Sequence, residues 1–318
     1  MNRLISFLKE WMLPIAILSG ITLYLFYHFT PALYPAGPVL HKVASEGQRL
    51  LIALLLFCQF VKAAPRDMRL HRWHAKALLF QCVAFIVCAV GAVLIPYNGA
   101  KILLECAMIC LICPTAAASG VITDRLGGDL AANVTYLVLS NVVATFLIPA
   151  VIPFAHPAED FSFWQSVLRI AGRIFPMLVV PALLAWLIRF TMPRLQAVLE
   201  RLAGYSFYLW GVCLMLAMVL STRALVLSDV STAVVAGIVV VSIVTCVGQF
   251  AVGRLMGRDD RERLTAGQSL GQKNTGFLIW LGYTYLTPVT SIAGGLYAIW
   301  QNIINSWELY QKRHAGRP

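Results

Sequence analysis

Ten apolar stretches, near residues 11–29, 46–61, 75–95, 101–122, 130–154, 164–188, 203–222, 230–253, 264–284 and 288–309, follow one another along the chain with short polar gaps between them. About 20 apolar residues suffice for a helix to cross a bilayer. The sequence therefore predicts an all-α polytopic membrane protein with ten transmembrane helices. Its 59% hydrophobic and 12% charged residues, with a mean hydropathy of +0.77, exclude an ordinary soluble domain.

A net charge of +11 would suggest nucleic acid if the basic residues lined a soluble face, but they fall in the gaps between apolar runs. Positive-inside topology explains them, and no nucleic-acid partner is expected. With the N-terminus inside, the cytoplasmic segments hold Arg3, Lys9, Lys62, Arg66, Arg69, Arg72, Lys76, Arg125, Arg189, Arg194, Arg201, Arg254, Arg258, Arg261, Arg263, Lys312, Arg313 and Arg317. That is 18 of the 25 Lys and Arg residues; the opposite side holds Lys42, Lys101 and Arg223, with the acidic pair Glu159 and Asp160. The expectation is a multi-pass protein of the bacterial inner membrane with both termini cytoplasmic. The first apolar run carries Tyr24, Tyr27 and His28 and ends at Pro31 without a small-residue cleavage site, so it reads as a retained helix.

Two of the stretches are interrupted. Between Leu264 and Trp280 the run is broken by Gly271, Gln272, Lys273, Asn274, Thr275 and Gly276. A lysine at the centre of a membrane helix costs roughly 2.5–3.5 kcal/mol on insertion scales, and flanking glycines make a local break cheap. Unwound backbone at membrane depth survives only where protein buries it or a cavity is lined by it. The segment is expected to form one wall of a binding site. The alternative is that Lys273, about ten residues beyond Arg263, or roughly 15 Å of helix, snorkels to the interface. In the fourth stretch Pro114 follows MICLIC and precedes Thr115, Ala116, Ala117, Ala118, Ser119 and Gly120. Proline has no N–H to donate, so carbonyls near Ile109 and Cys110 are expected to be freed.

Dividing the chain into repeats at 1–158 and 159–318 makes each broken segment the fourth of five helices. An odd number of helices per half inverts the second copy, and paired interruptions at matching positions point to a transporter site near the midplane.

At these residues the chain resembles the bile acid:sodium symporter family. Cys113-Pro114, Ala118-Ser119, Thr123, Gly128-Asp129 and Ala131 are similar to the family's Cys-Pro-Gly-Gly-x-x-Ser-Asn segment and the turn after it. Gly271, Asn274, Thr275 and Gly276 resemble its Glu-x-Gly-x-Gln-Asn-Ser-Gly run, Trp300-Gln301-Asn302 its Trp-His-Asn, and Gln81 falls where helix three supplies an amide. The resemblance implies a core bundle around crossed discontinuous helices 4 and 9, a separate panel bundle, alternating access, and an anionic amphipathic substrate coupled to two sodium ions. It makes Lys273, Asn274, Thr275, Gln272, Ser269, Pro114, Thr115, Ser119, Gln81, Asn133 and Asn302 the candidate substrate- or ion-binding residues.

The departures bear on coupling. Ser269 stands where the family has a sodium-binding glutamate, Lys273 where it has a glutamine, Gly120 where it has an asparagine, and Asn133 and Leu137 at usual hydroxyl positions. Sodium, a hard cation, wants several oxygens with negative charge nearby. The expectation is that the Lys273 ammonium takes the place of a sodium ion, linking helix nine to helix four and Gln81. Transport would then be sodium-independent or proton-linked, with no cofactor and no resident metal.

Other groups carry competing readings. Cys106, Cys110 and Cys113 share one helix face and give an arsenite or metal-thiolate efflux permease using Cys113 as the rival within transport. A membrane receptor or sensor is the rival outside it; the tail after Tyr310 is eight residues long, so its output would need a partner chain. Arg169 and Arg173, one turn apart, either attract an anion or anchor the interface. His71 and His74 are expected to face phosphate head groups, and the eight cysteines, all within apolar runs, imply no disulfide framework. No base and nucleophile pair appears, so no enzyme is expected.

Overall fold

The computed structural model describes residues 12–62, 64–96, 98–116, 118–157, 162–227 and 229–315. Arg3, Lys9, Ala117, Glu159, Asp160, Arg317 and the junction between the two expected repeats lie outside the described residues. The helices are α1 (Met12–His28), α2 (Gly37–Lys62), α3 (Arg72–Leu94), α4 (Gly99–Ile112), α5 (Ser119–Arg125), α6 (Leu130–Ala155) and α7 (Phe163–Leu178), followed by α8 (Val180–Thr191), α9 (Pro193–Leu202), α10 (Ser206–Val226), α11 (Thr232–Met256), α12 (Asp260–Gly271), α13 (Thr275–Tyr285) and α14 (Ser291–Ala315).

Among the described residues six segments are long and apolar enough to cross a membrane: Pro31–Lys62, Arg72–Leu94, Leu130–Ala155, Phe163–Thr191, Tyr208–Val226 and Thr232–Met256. The fourth of them bends at Val179, where the sequence reading had one uninterrupted run. Pro176 and Pro181 flank the bend, and each removes a helical donor. The ten-residue α9 was also unforeseen; its buried Gln196 donates to the Val61 carbonyl at 2.6 Å, as does Arg189, closing the C-terminal end of α2.

Polar residues punctuate the apolar runs at their starts. Asn98, Asp129, Ser162, Ser231, Asp259 and Asn274 each accept a backbone N–H from the helix they precede. The closest packing pairs α1 and α2 with α10, α2 with α8, α3 and α11 with α4, and α11 with α12 and α14, while α7 lies chiefly on α6 and α10 also touches α13 and α14. The turns rich in basic residues gather at one end, where His71 meets Glu262 at 3.3 Å, Arg261 meets Asp129 at 3.8 Å, and Lys312 donates to the Arg125 carbonyl at 3.1 Å. His74 departs from its expected place at the lipid surface. It is buried, and its Nε2 lies 3.0 Å from the Ala132 carbonyl.

The backbones of α11 and α12 approach closely at Gly253, where a β-carbon would stand 2.5 Å from the Ala266 oxygen and 2.9 Å from its carbonyl carbon. Backbone cannot yield as a side chain can, so Gly253→Ala is expected to cost about 1–3 kcal/mol, read as a lower thermal midpoint in detergent. An unchanged midpoint would mean that the two helices slide apart freely.

Candidate functional site

α4 and α5 are the two arms of one broken segment, and α12 and α13 are the arms of the other. The breaks meet. Ala116 N–H donates to the Gln272 carbonyl and Asn274 N–H to the Pro114 carbonyl, both at 2.9 Å, forming an isolated antiparallel bridge between Thr115 and Lys273. Neither break uses a left-handed residue, since among the described residues only Gly127 has positive φ. Gly271 serves close packing against the Phe250 ring instead of the backbone freedom expected of it.

Many of the backbone groups exposed by the breaks find partners, as groups away from water must. Cys113 N–H keeps Ile109 O in a helical bond of 3.1 Å, so the carbonyl freed by Pro114 is that of Cys110 alone. Gln249 of α11 donates to it at 3.1 Å. Gln81 of α3 donates to Ile112 O at 2.7 Å, Tyr297 of α14 to Gly271 O at 2.8 Å, and Thr115 to Ser269 O at 2.7 Å. Lys273 N–H donates to Gln301 Oε1 at 2.9 Å and Thr115 N–H to Ser140 Oγ at 3.2 Å.

The Lys273 side chain is fully buried in this knot. Its Nζ lies 3.4 Å from Gln81 Oε1, an atom that also accepts from the Tyr136 hydroxyl at 2.9 Å. Among the described residues the ionisable groups around the ammonium are the thiols of Cys113, Cys110 and Cys246, with no carboxylate among them. Burial inside the bundle, not the interface, is where the chain puts this lysine. Beside it, Ser119 donates to Asn133 Oδ1 at 3.0 Å and Asn133 to Ser269 Oγ at 2.8 Å.

The remaining candidates separate. Gln272 donates to Gln268, which donates to Glu308 at 2.7 Å, and Glu308 pairs with Arg254; this chain of groups leads from the crossing toward the basic end. Asn274 caps α13 and accepts the Cys113 thiol at 3.0 Å on its carbonyl. Thr275 is buried at the first position of α13. Asn302 does not join the crossing: its amide returns to Ala298 O of its own helix at 2.7 Å, because that face of α14 turns outward. Sequence reasoning passed over Ser140, Gln249 and Tyr297, and named Gln301 only within the Trp300-Gln301-Asn302 resemblance and not as a site residue. The available signal was an amide isolated in an apolar run, which Gln249 shares with Gln81.

The model of the sodium bile acid symporter family matches residues 49–228, more than half of the chain. The chain belongs to this family. Members of the sodium bile acid symporter family are transporters, and the protein is a multi-pass membrane protein of that kind. The matched residues contain the α4–α5 break with Pro114 and Thr115, whereas the α12–α13 break, with Ser269 and Lys273, lies beyond them. A search of curated proteins finds no match. Among the described residues no group of three or more His, Cys, Asp or Glu side chains is arranged to hold a metal ion.

Proposed function

We propose that this protein is a secondary transporter that moves an organic anion by alternating access without sodium, the Lys273 ammonium standing where other members of the family hold a cation. In this reading ten membrane-crossing segments form two inverted five-helix repeats, 1–158 and 159–318, with α5 completing α4 and α13 completing α12. The group containing α3, α4 and α11 is the core and the group containing α2 and α10 the panel. Both termini face the cytoplasm of a bacterial cell, in keeping with the gathering of basic turns at one end.

The observation that carries the reading is the burial of Lys273 Nζ 3.4 Å from Gln81 Oε1 with no carboxylate beside it. The oxygens at the crossing do not fit sodium. Ser269 Oγ is engaged by Asn133 and Gln81 Oε1 by Tyr136 and Lys273, and the ammonium repels the ion while it is charged. The same knot ties α3, α4, α6, α12 and α14 together, which suits a core that moves as one piece past the panel. A buried lysine also offers a group that can give up its proton during the cycle, which favours a proton-linked form of the transport. The Cys113 thiol is engaged as a donor to Asn274 O, which favours this reading over metalloid efflux through that residue.

Thermal stabilisation of the purified protein by cholate and taurocholate, with and without sodium, tests it by mass action. The wild type is expected to respond to the anion and to ignore sodium. The double variant Ser269→Glu with Lys273→Gln, which restores the family's residues at both positions, is expected to acquire a sodium-dependent shift. Stabilisation of the wild type by sodium alone would overturn the account of Lys273.

A further inference from the structure

A cavity of about 510 Å³ opens where α6 ends, between that end, α7 and the end of α13. It lies apart from the crossing and contains none of the eleven residues singled out above. Its wall combines Arg169, Arg173, His156 and Ser166 with the apolar side chains of Ile152 and Ile170, and among the described residues no carboxylate lines it. The volume falls within the roughly 300–1,000 Å³ usual for small-molecule sites.

Three features make the wall an arranged one. Arg169 and Arg173 are four residues apart on α7 and therefore point the same way. The Tyr285 hydroxyl is buried at the end of α13, and Tyr285 lines the same cavity as Arg169 and Arg173. His156 is held from behind: its Nδ1 lies 3.0 Å from Oε1 of Glu105, a fully buried carboxylate whose Oε2 accepts from the Thr287 hydroxyl at 2.8 Å. With Nδ1 engaged, the ring atom left for the cavity is Nε2.

We propose that this cavity binds the head group of an amphipathic organic anion, a carboxylate or sulfonate seated between Arg169 and Arg173 with its apolar body along Ile152 and Ile170. The assignment rests on the organic-anion reading given above. Guanidinium groups suit the oxygens of a carboxylate or sulfonate because their paired N–H donors match them in geometry as well as charge. In the orientation proposed above, the cavity faces the outside of the cell. It is then the point at which an anion is first captured, before the core carries it past the panel. The same head-group chemistry is presented by an anionic lipid, and the experiment separates the two sources.

The protein is placed in phosphatidylcholine nanodiscs, and taurocholate and cholate binding is measured by titration calorimetry. The comparison is between wild type, the double variant Arg169→Gln with Arg173→Gln, and Arg223→Gln, whose arginine lies outside the cavity. The double variant is expected to raise Kd by roughly 10- to 100-fold, Arg223→Gln to leave it within about twofold, and Arg169→Lys with Arg173→Lys to lie between. Binding by wild type and double variant with equal affinity would overturn the site while leaving the organic-anion reading intact. Failure of wild type to bind either anion would overturn both. Loss of wild-type binding when the discs contain phosphatidylglycerol, with the double variant indifferent to the lipid, would assign the cavity to lipid and overturn the proposal.

Discussion

Replacing Lys273 with methionine is expected to make the protein more stable and to stop transport. The ammonium is taken wholly out of water and meets one neutral amide oxygen at 3.4 Å, with no counter-charge to offset its desolvation. Methionine is about as long, fills the same channel between α3 and α4, and carries no polar group. Gln81 loses nothing essential, since Tyr136 continues to donate to its Oε1 at 2.9 Å. Replacing buried charges with packed apolar side chains is commonly neutral or stabilising by about 1–4 kcal/mol. A higher thermal midpoint together with abolished uptake of labelled anion in proteoliposomes is the expected pair of results. A less stable methionine variant would mean that the ammonium has a stronger partner than Gln81, and sustained uptake would remove Lys273 from the transport cycle.

Glu105 should give the opposite outcome. Its carboxylate accepts from Thr287 N at 3.3 Å and Thr287 Oγ1 at 2.8 Å and lies 3.0 Å from His156 Nδ1. Glu105 thereby joins α4 to the end of α6 and to the turn between α13 and α14. Glu105→Leu removes all three interactions at a buried site, which is expected to cost about 1–3 kcal/mol. Glu105→Gln keeps an acceptor for Thr287 and is expected to fall between wild type and Leu. Thermal midpoints in the order wild type, Gln, Leu are the expected result; equal midpoints for Gln and Leu would show that the acceptor contributes nothing.

These two residues also mark what could be read from the chain. Lys273 was legible because glycines and an amide surround it, so the helix itself reports a break. Pro114 was legible for the same local reason. Glu105 interrupts the apolar run 101–122 with equal force, but its partners His156 and Thr287 are 51 and 182 residues away. Nothing near it in sequence announces them. Residues whose role is to close another helix's broken ladder, such as Gln249, Tyr297 and Gln301, carry at most an isolated polar group in an apolar run and no sign of which backbone group they serve. Facing is the other quantity a pattern of apolar runs does not supply. Asn302 and Gln301 are adjacent, yet Gln301 enters the crossing and Asn302 bonds within α14. The bend at Val179 depended on two prolines acting together, and α9 on a short amphipathic segment that a search for membrane-length runs passes over.

The bridge between Thr115 and Lys273 has a consequence for how the protein is made. Synthesis proceeds from the N-terminus, so the first broken segment enters the bilayer long before the second exists; the hydroxyl of Thr115 precedes the carbonyl it will serve by 154 residues. Over that interval the carbonyl of Pro114 and the N–H of Ala116 have no native partner in the chain. In the nascent first half these two groups therefore wait for α12 and α13 before they reach their native partners. The pairing that completes the first break is therefore late and nearly C-terminal, and a chain that stopped after α11 would have both arms of that break and none of the groups of α12 and α13 that pair with it.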